Sequence, residues 1–206
     1  MKKANFKPPK FEGLYYIKED TSTICRKVLY IKNDSKRNTP DLLVIMMNPG
    51  GSRPKGLKSY KDITINHCDK FLCAEPDITQ DRIWEFMEFK ELKYACILNL
   101  IDKCETNSTK LRSGDKDYTN FKSMESTADI IKEYAPNPKA VLIAWGCKEI
   151  FKEVIERIKY TLSGFEDVKI YGFAKNDNEY LYFYHPLVRG DIWLSSVKEI
   201  NNLIIK

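Results

Sequence analysis

Four short apolar runs each break off at an uncommon polar or turn residue: Leu42 to Met47 at Asn48-Pro49-Gly50-Gly51, Ala95 to Leu98 at Asn99, Ala140 to Ala144 at Trp145-Gly146, and Tyr180 to Tyr184 at His185-Pro186. Runs of this length, apolar on both faces and separated by helical patterns, are how a parallel sheet covered on both sides reads in sequence. The fold class expected is α/β: a single-domain three-layer sandwich with a central parallel sheet of about four strands, near 42–47, 94–99, 140–145 and 180–184, and helices on both faces. In such a sheet ligands bind outside the carboxyl ends of the strands. Chemistry is therefore expected at the four stops.

The 206 residues suit one domain, so residues 1–206 are expected to form a single α/β unit. Residues 1–12 read as an irregular arm and Thr23 to Lys32 as part of a hairpin, which makes 1–40 an N-terminal arm and hairpin. A loop-rich stretch from Ser52 to Ala74 includes a possible short helix around Ile65 to Leu72. Thr79 is placed to cap a helix carrying Ile83, Trp84, Phe86 and Met87. Further helices are expected over Phe121 to Tyr134, Lys148 to Leu162 and, capped by Asp191, Ile192 to Ile204.

With 34 Lys+Arg against 29 Asp+Glu, the chain permits a polyanionic partner without demanding one. Six scattered cysteines and a charged amino-terminal stretch without an apolar core suggest a reduced, cytoplasmic protein. No apolar run approaches the ~20 residues that span a bilayer, so no membrane partner is expected. A monomer without cofactor is the expectation.

Asn48 carries the sharpest chemical signal. A carboxamide at a strand end, followed by Pro and two Gly, can hold a water molecule while bare backbone lets a substrate approach closely. The same triplet also serves as ordinary turn punctuation. His185, one of two histidines, stands at another stop, where it is either a hydrogen-bond donor to a developing anion or a structural histidine. In a parallel sheet Asn48, Asn99 and His185 converge on one cleft.

The ordered set Met47-Asn48-Pro49-Gly50, Ile97-Leu98-Asn99, Ala144-Trp145-Gly146 and His185-Pro186-Leu187-Val188-Arg189 resembles the uracil-DNA glycosylase superfamily, in its single-strand-selective or mismatch-specific type. It also resembles a related uncharacterised bacterial family whose first motif is Asn-Pro-Ser or Asn-Pro-Gly. The resemblance implies that Asn48 positions the hydrolytic water and His185 stabilises the departing base anion, as the catalytic pair. Asn99 would read the pyrimidine edge, with Met47 beside the first motif and Tyr60 as the nearest stacking aromatic; Phe71 is the poorer candidate. Arg189, four residues after His185, would wedge into the opened duplex with Leu187 nearby. Leu187-Val188 replaces the usual Ser-Pro, which leaves the phosphate contacts to Ser52, Arg53, Lys55, Lys58 and Lys61, unless that loop is simply solvated.

Iron-sulfur branches of the superfamily need four placed cysteines; here only Cys68 and Cys73 are close, with His67 beside them, and no metal is expected. The activity implied is that of a monofunctional DNA glycosylase, hydrolysing the N-glycosidic bond of uracil or a modified pyrimidine after base flipping, in repair or against modified phage DNA. Two other classes stay open: a hydrolase or transferase acting on a free nucleoside or nucleotide, and a non-catalytic nucleic-acid-binding relative.

Overall fold

The computed structural model describes residues 8–19, 22–33, 36–56, 63, 70–165, 167–176, 182–187 and 192–200. In chain order the elements are β1 (Lys10–Lys18), β2 (Thr23–Lys32), β3 (Leu42–Met46), β4 (Arg53–Pro54), β5 (Phe71–Glu75), α1 (Ile78–Phe89), β6 (Tyr94–Asn99), α2 (Met124–Tyr134), β7 (Ala140–Ala144), α3 (Lys152–Ser163), β8 (Lys169–Gly172), α4 (Ile192–Ser196) and β9 (Lys198–Glu199). The described strands form one sheet in the order β4-β5-β1-β2-β6-β3-β7-β8-β9. Pairing is parallel from β6 through β3 and β7 to β8, and antiparallel elsewhere.

β3, β6 and β7 are buried at every position. Successive side chains along each strand enter opposite cores. On one face Leu42, Val44, Met46, Ala95 and Ile97 pack with Ile83, Phe86 and Met87 of α1 and Trp193 of α4. On the other, Leu43, Ile45, Cys96 and Leu98 pack with Ile131 of α2 and Val154, Ile155 and Ile158 of α3.

Asp41 fixes the amino-terminal end of these strands. Its buried carboxylate accepts from the main-chain N–H of Lys93 and Tyr94 and pairs with Arg37 at 3.2 Å. Its own N–H donates to Tyr94 O, and its carbonyl accepts from Lys139 and Ala140. One residue thus sets the starts of β3, β6 and β7 side by side.

The structure corrects the expected fold class. The sheet is a single mixed sheet of nine strands with few helices, not a four-strand parallel sheet sandwiched between helices. The physical reason lies in the first 40 residues. The first strand begins at Lys10, inside the stretch expected as an arm, and the expected hairpin does not stand apart: β1 and β2 join the edge of β6 with Val28, Leu29 and Ile31 fully buried. The hairpin is part of the core and turns half of the sheet antiparallel.

Three local expectations change as well. The fourth parallel strand is Lys169–Gly172; Phe183 makes only isolated bridges to Gly146 and Ala174, and residues 177–181 lie outside the described residues. Phe71 and Leu72, expected in a short helix, belong to β5. The last helix stops at Ser196, because Lys198 and Glu199 pair with β8. Among the described residues no helix is long and apolar enough to cross a membrane.

Candidate active site

At the carboxyl end of β3 the chain turns sharply, with Gly50 at φ 65°. A Cβ there would lie 3.1 Å from Asp77 Oδ2, and the conformation itself disfavours other residues. Asp77 caps α1: Oδ1 accepts from Thr79 N at 2.8 Å, and its own N–H donates to Gln80 Oε1 at 2.6 Å. Oδ2 accepts from Gly51 N at 3.2 Å, so one carboxylate ties the glycine turn to the helix start.

Asn48 is held by the segment after β6. Its Nδ2 donates to Glu105 O at 2.6 Å and reaches Lys103 O at 3.5 Å. Carbonyl oxygens only accept, so the amide must present its NH2 to them, which leaves Oδ1 as the acceptor available to a ligand. The segment is anchored to the hairpin: Arg26 N donates to Asp102 O, Cys104 N donates to Ile24 O, and the Asp102 carboxylate accepts from Tyr16 Oη at 3.1 Å and from Asn120 Nδ2. Complete burial raises the Asp102 carboxyl to about 7, although these two donors and the Lys27 and Arg26 charges oppose the rise.

The opposite wall starts at Gly146, at φ 82°, where a Cβ would meet Met47 Cε at 2.4 Å. Gly146 N donates to Phe183 O at 2.9 Å, and Trp193 Nε1 donates to Tyr184 O at 3.0 Å, which holds the strand-like segment ahead of His185. His185 Nδ1 accepts from Leu187 N at 3.3 Å, so the proton of the neutral ring sits on Nε2. Desolvation lowers its pKa to about 4, against the opposing pull of the Asp77 charge, and the ring is neutral near pH 7.

Asn48 and His185 line one cleft of about 690 Å³, with Met47, Gly50, Asp77 and Lys148 among its walls. Leu187, half exposed, lies on the same cleft. Asn99 does not line it. That residue is buried at the end of β6, beside Met46 in the register, and neither Nδ2 nor Oδ1 has a hydrogen-bond partner. Ser52 is buried against Tyr15 Oη at 3.4 Å, and the Arg53 guanidinium donates to the carbonyls of Gly50, Ser52 and Cys104. Both residues therefore brace the turn, where phosphate contact was expected of them. Lys55 is exposed. Tyr60 and Arg189, with Lys58, Lys61, His67 and Cys68, lie outside the described residues.

The family model described as a protein of unknown function, DUF1643, matches residues 28–187. The chain belongs to this family. The DUF1643 match runs from within β2 to Leu187 and so contains Asn48, Asn99 and His185. No curated protein and no solved structure matches the chain.

Sequence reasoning missed Asp77 and Lys148. Asp77 had a readable signal, an N-cap carboxylate followed three residues later by Gln80, and the helix starts there rather than at Thr79. Lys148 offered none beyond its place after a strand stop.

Proposed function

We propose that this protein is a monofunctional DNA N-glycosylase that removes uracil or a modified pyrimidine after base flipping, acting as a cytoplasmic monomer. The observation that carries the reading is the meeting, in one cleft, of an amide whose free group is an acceptor and an imidazole whose free group is a donor. Breaking an N-glycosidic bond leaves an oxocarbenium-like sugar and an anionic base, so electrostatic help outweighs the need for a strong base. Asn48 Oδ1 accepts a hydrogen bond from the attacking water and orients it. The water's oxygen bonds to the sugar carbon as the bond to the base breaks, and its proton is released to solvent. His185 Nε2–H donates to the departing base anion, and a neutral ring does so without needing an acid pH.

Incubation with duplex and single-stranded oligonucleotides carrying different modified pyrimidines, followed by alkali, tests the proposal. Strand breaks at one modified position, lost in Asn48→Ala and His185→Ala proteins, are the expected result. Binding without breaks on every base tried would reject catalysis. A free nucleoside or nucleotide is the second reading, and the carboxylates of Asp77 and Glu105 on the cleft, which repel phosphate, favour the uncharged nucleoside of the two. Release of base from free nucleosides and not from oligonucleotides would establish it in place of the first.

A further inference from the structure

Gln80 is the third residue of α1, and its side chain turns back over the first turn of that helix. Its Oε1 accepts from Asp77 N at 2.6 Å, the return half of the capping box. A main-chain N–H can only donate, so the carbonyl end of the amide is fixed on Asp77 and the NH2 end is left over. The residue is 2% exposed, yet it lines the cleft. Nε2 has no hydrogen-bond partner among the described residues, and it is not one of the unpartnered polar atoms sealed from solvent. The amide nitrogen therefore opens on the cleft.

The neighbouring groups place this donor within the site already described. The Asp77 carboxylate that caps the same turn accepts from Gly51 N, and its charge is felt at His185. The cleft thus presents two neutral donors whose orientation main-chain groups fix, Gln80 Nε2 and His185 Nε2, beside the acceptor Asn48 Oδ1. Asn99, from which edge reading was expected, does not reach it. A donor this deeply placed loses its water when a ligand fills the cleft, and an unmatched one is then costly. The ligand must bring an acceptor to it.

We infer that Gln80 is a specificity-determining residue: with His185 on one carbonyl oxygen of the base, Gln80 Nε2–H donates to a second, so the cleft takes a dioxo-pyrimidine of the uracil class and disfavours cytosine, whose amino group would set donor against donor. That the ligand is a pyrimidine rests on the glycosylase reading; that Gln80 presents a donor does not.

Saturation-transfer NMR titrations of the full chain with free uracil and with free cytosine test it, since neither base has a glycosidic bond to break. The wild type should bind uracil about tenfold or more tighter than cytosine. Gln80→Glu keeps an acceptor for Asp77 N and removes the donor, so it should retain the melting transition and lose the preference. Gln80→Met, of similar volume, should lose the preference without adding a charge. Equal binding of the two bases by the wild type, binding of neither, or an unchanged ratio in either folded variant overturns the inference; should neither variant fold, the wild-type ratio decides alone. A preference for uracil without strand breaks on any oligonucleotide would keep Gln80 as the reader and remove the glycosylase, whereas base release without that preference would do the reverse.

Discussion

The open cleft and the closed face beside it treat polar groups in opposite ways. In the cleft three functional groups are tied on one side: Asn48 by Glu105 O, His185 by Leu187 N, Asp77 by the helix start and Gly51. A tied group has one orientation and presents one kind of atom, which is what preorganisation for a charge-developing reaction requires. Asn99, buried at the end of β6, has no such tie on either polar atom. The difference is one of orientation: the Asn48 amide presents one kind of atom to the cleft, whereas nothing around Asn99 chooses between its donor and its acceptor.

That contrast can be broken by substitution. Asn48→Ala and His185→Ala should each lower base excision by about a hundredfold or more, the scale of losing one preorganised contact, with the melting transition kept. Single-turnover rates on a cleaved oligonucleotide measure this, and near-normal rates in either variant would remove that residue from the chemistry. Asp41→Ala, which unties a carboxylate holding two main-chain N–H groups, should cost about 3 kcal/mol in denaturant melts. An unchanged unfolding midpoint would show that this carboxylate is not what aligns the three strands.

Asn48→Asp is a finer test. A carboxylate facing Glu105 O and Lys103 O has no hydrogen to give them, so the variant should lose about 1–3 kcal/mol of stability rather than gain a better base. A stable, faster enzyme would show that the amide orientation is not fixed by those carbonyls.

The smallest effects are pH effects, because two titrations oppose each other. The His185 pKa falls from 6.5 to about 4 on folding, so its contribution to stability is full above pH 6.5 and lost as pH drops toward 4. The Asp102 pKa rises from 3.8 to about 7, so the folded state binds the extra proton between these values and stability declines as pH rises through them. Asp102→Asn should therefore expose a clean loss of stability on acidification, and His185→Gln a clean gain. Equilibrium unfolding at steps between pH 4 and 7 separates the two; parallel curves for both variants would contradict the assigned shifts.

The centre of the sheet was readable because β3, β6 and β7 are buried on both faces and so are written as unbroken apolar runs. Within the Tyr180–Tyr184 run, the described residues 182–184 form no strand, because an aromatic beside a wall can be bridged and packed alone; Phe183 is buried against Trp145. His185 reaches the cleft through the Gly146–Phe183 bridge. The hairpin was legible as a hairpin over Thr23 to Lys32, but its alternation does not say which strand it will pair with, and it is the edge of β6 that buries it. The burial of Arg26 in β2 was invisible for a sharper reason: the one-residue bulge opposite Leu14 and Tyr15 changes the face of a side chain without changing the composition of the strand.

Asp41 has a mechanical consequence. Because one residue clamps the starts of β3, β6 and β7, those strands cannot slide past one another without breaking several hydrogen bonds together, and at the far ends Leu100 N and Ile101 N still donate to Met46 O and Met47 O. The carboxyl end of β3, from which Asn48 projects, therefore keeps a fixed height against β6 and β7: a slip by one residue would have to unmake the Asp41 bonds and both ladders at once, and would turn every buried side chain to the opposite core.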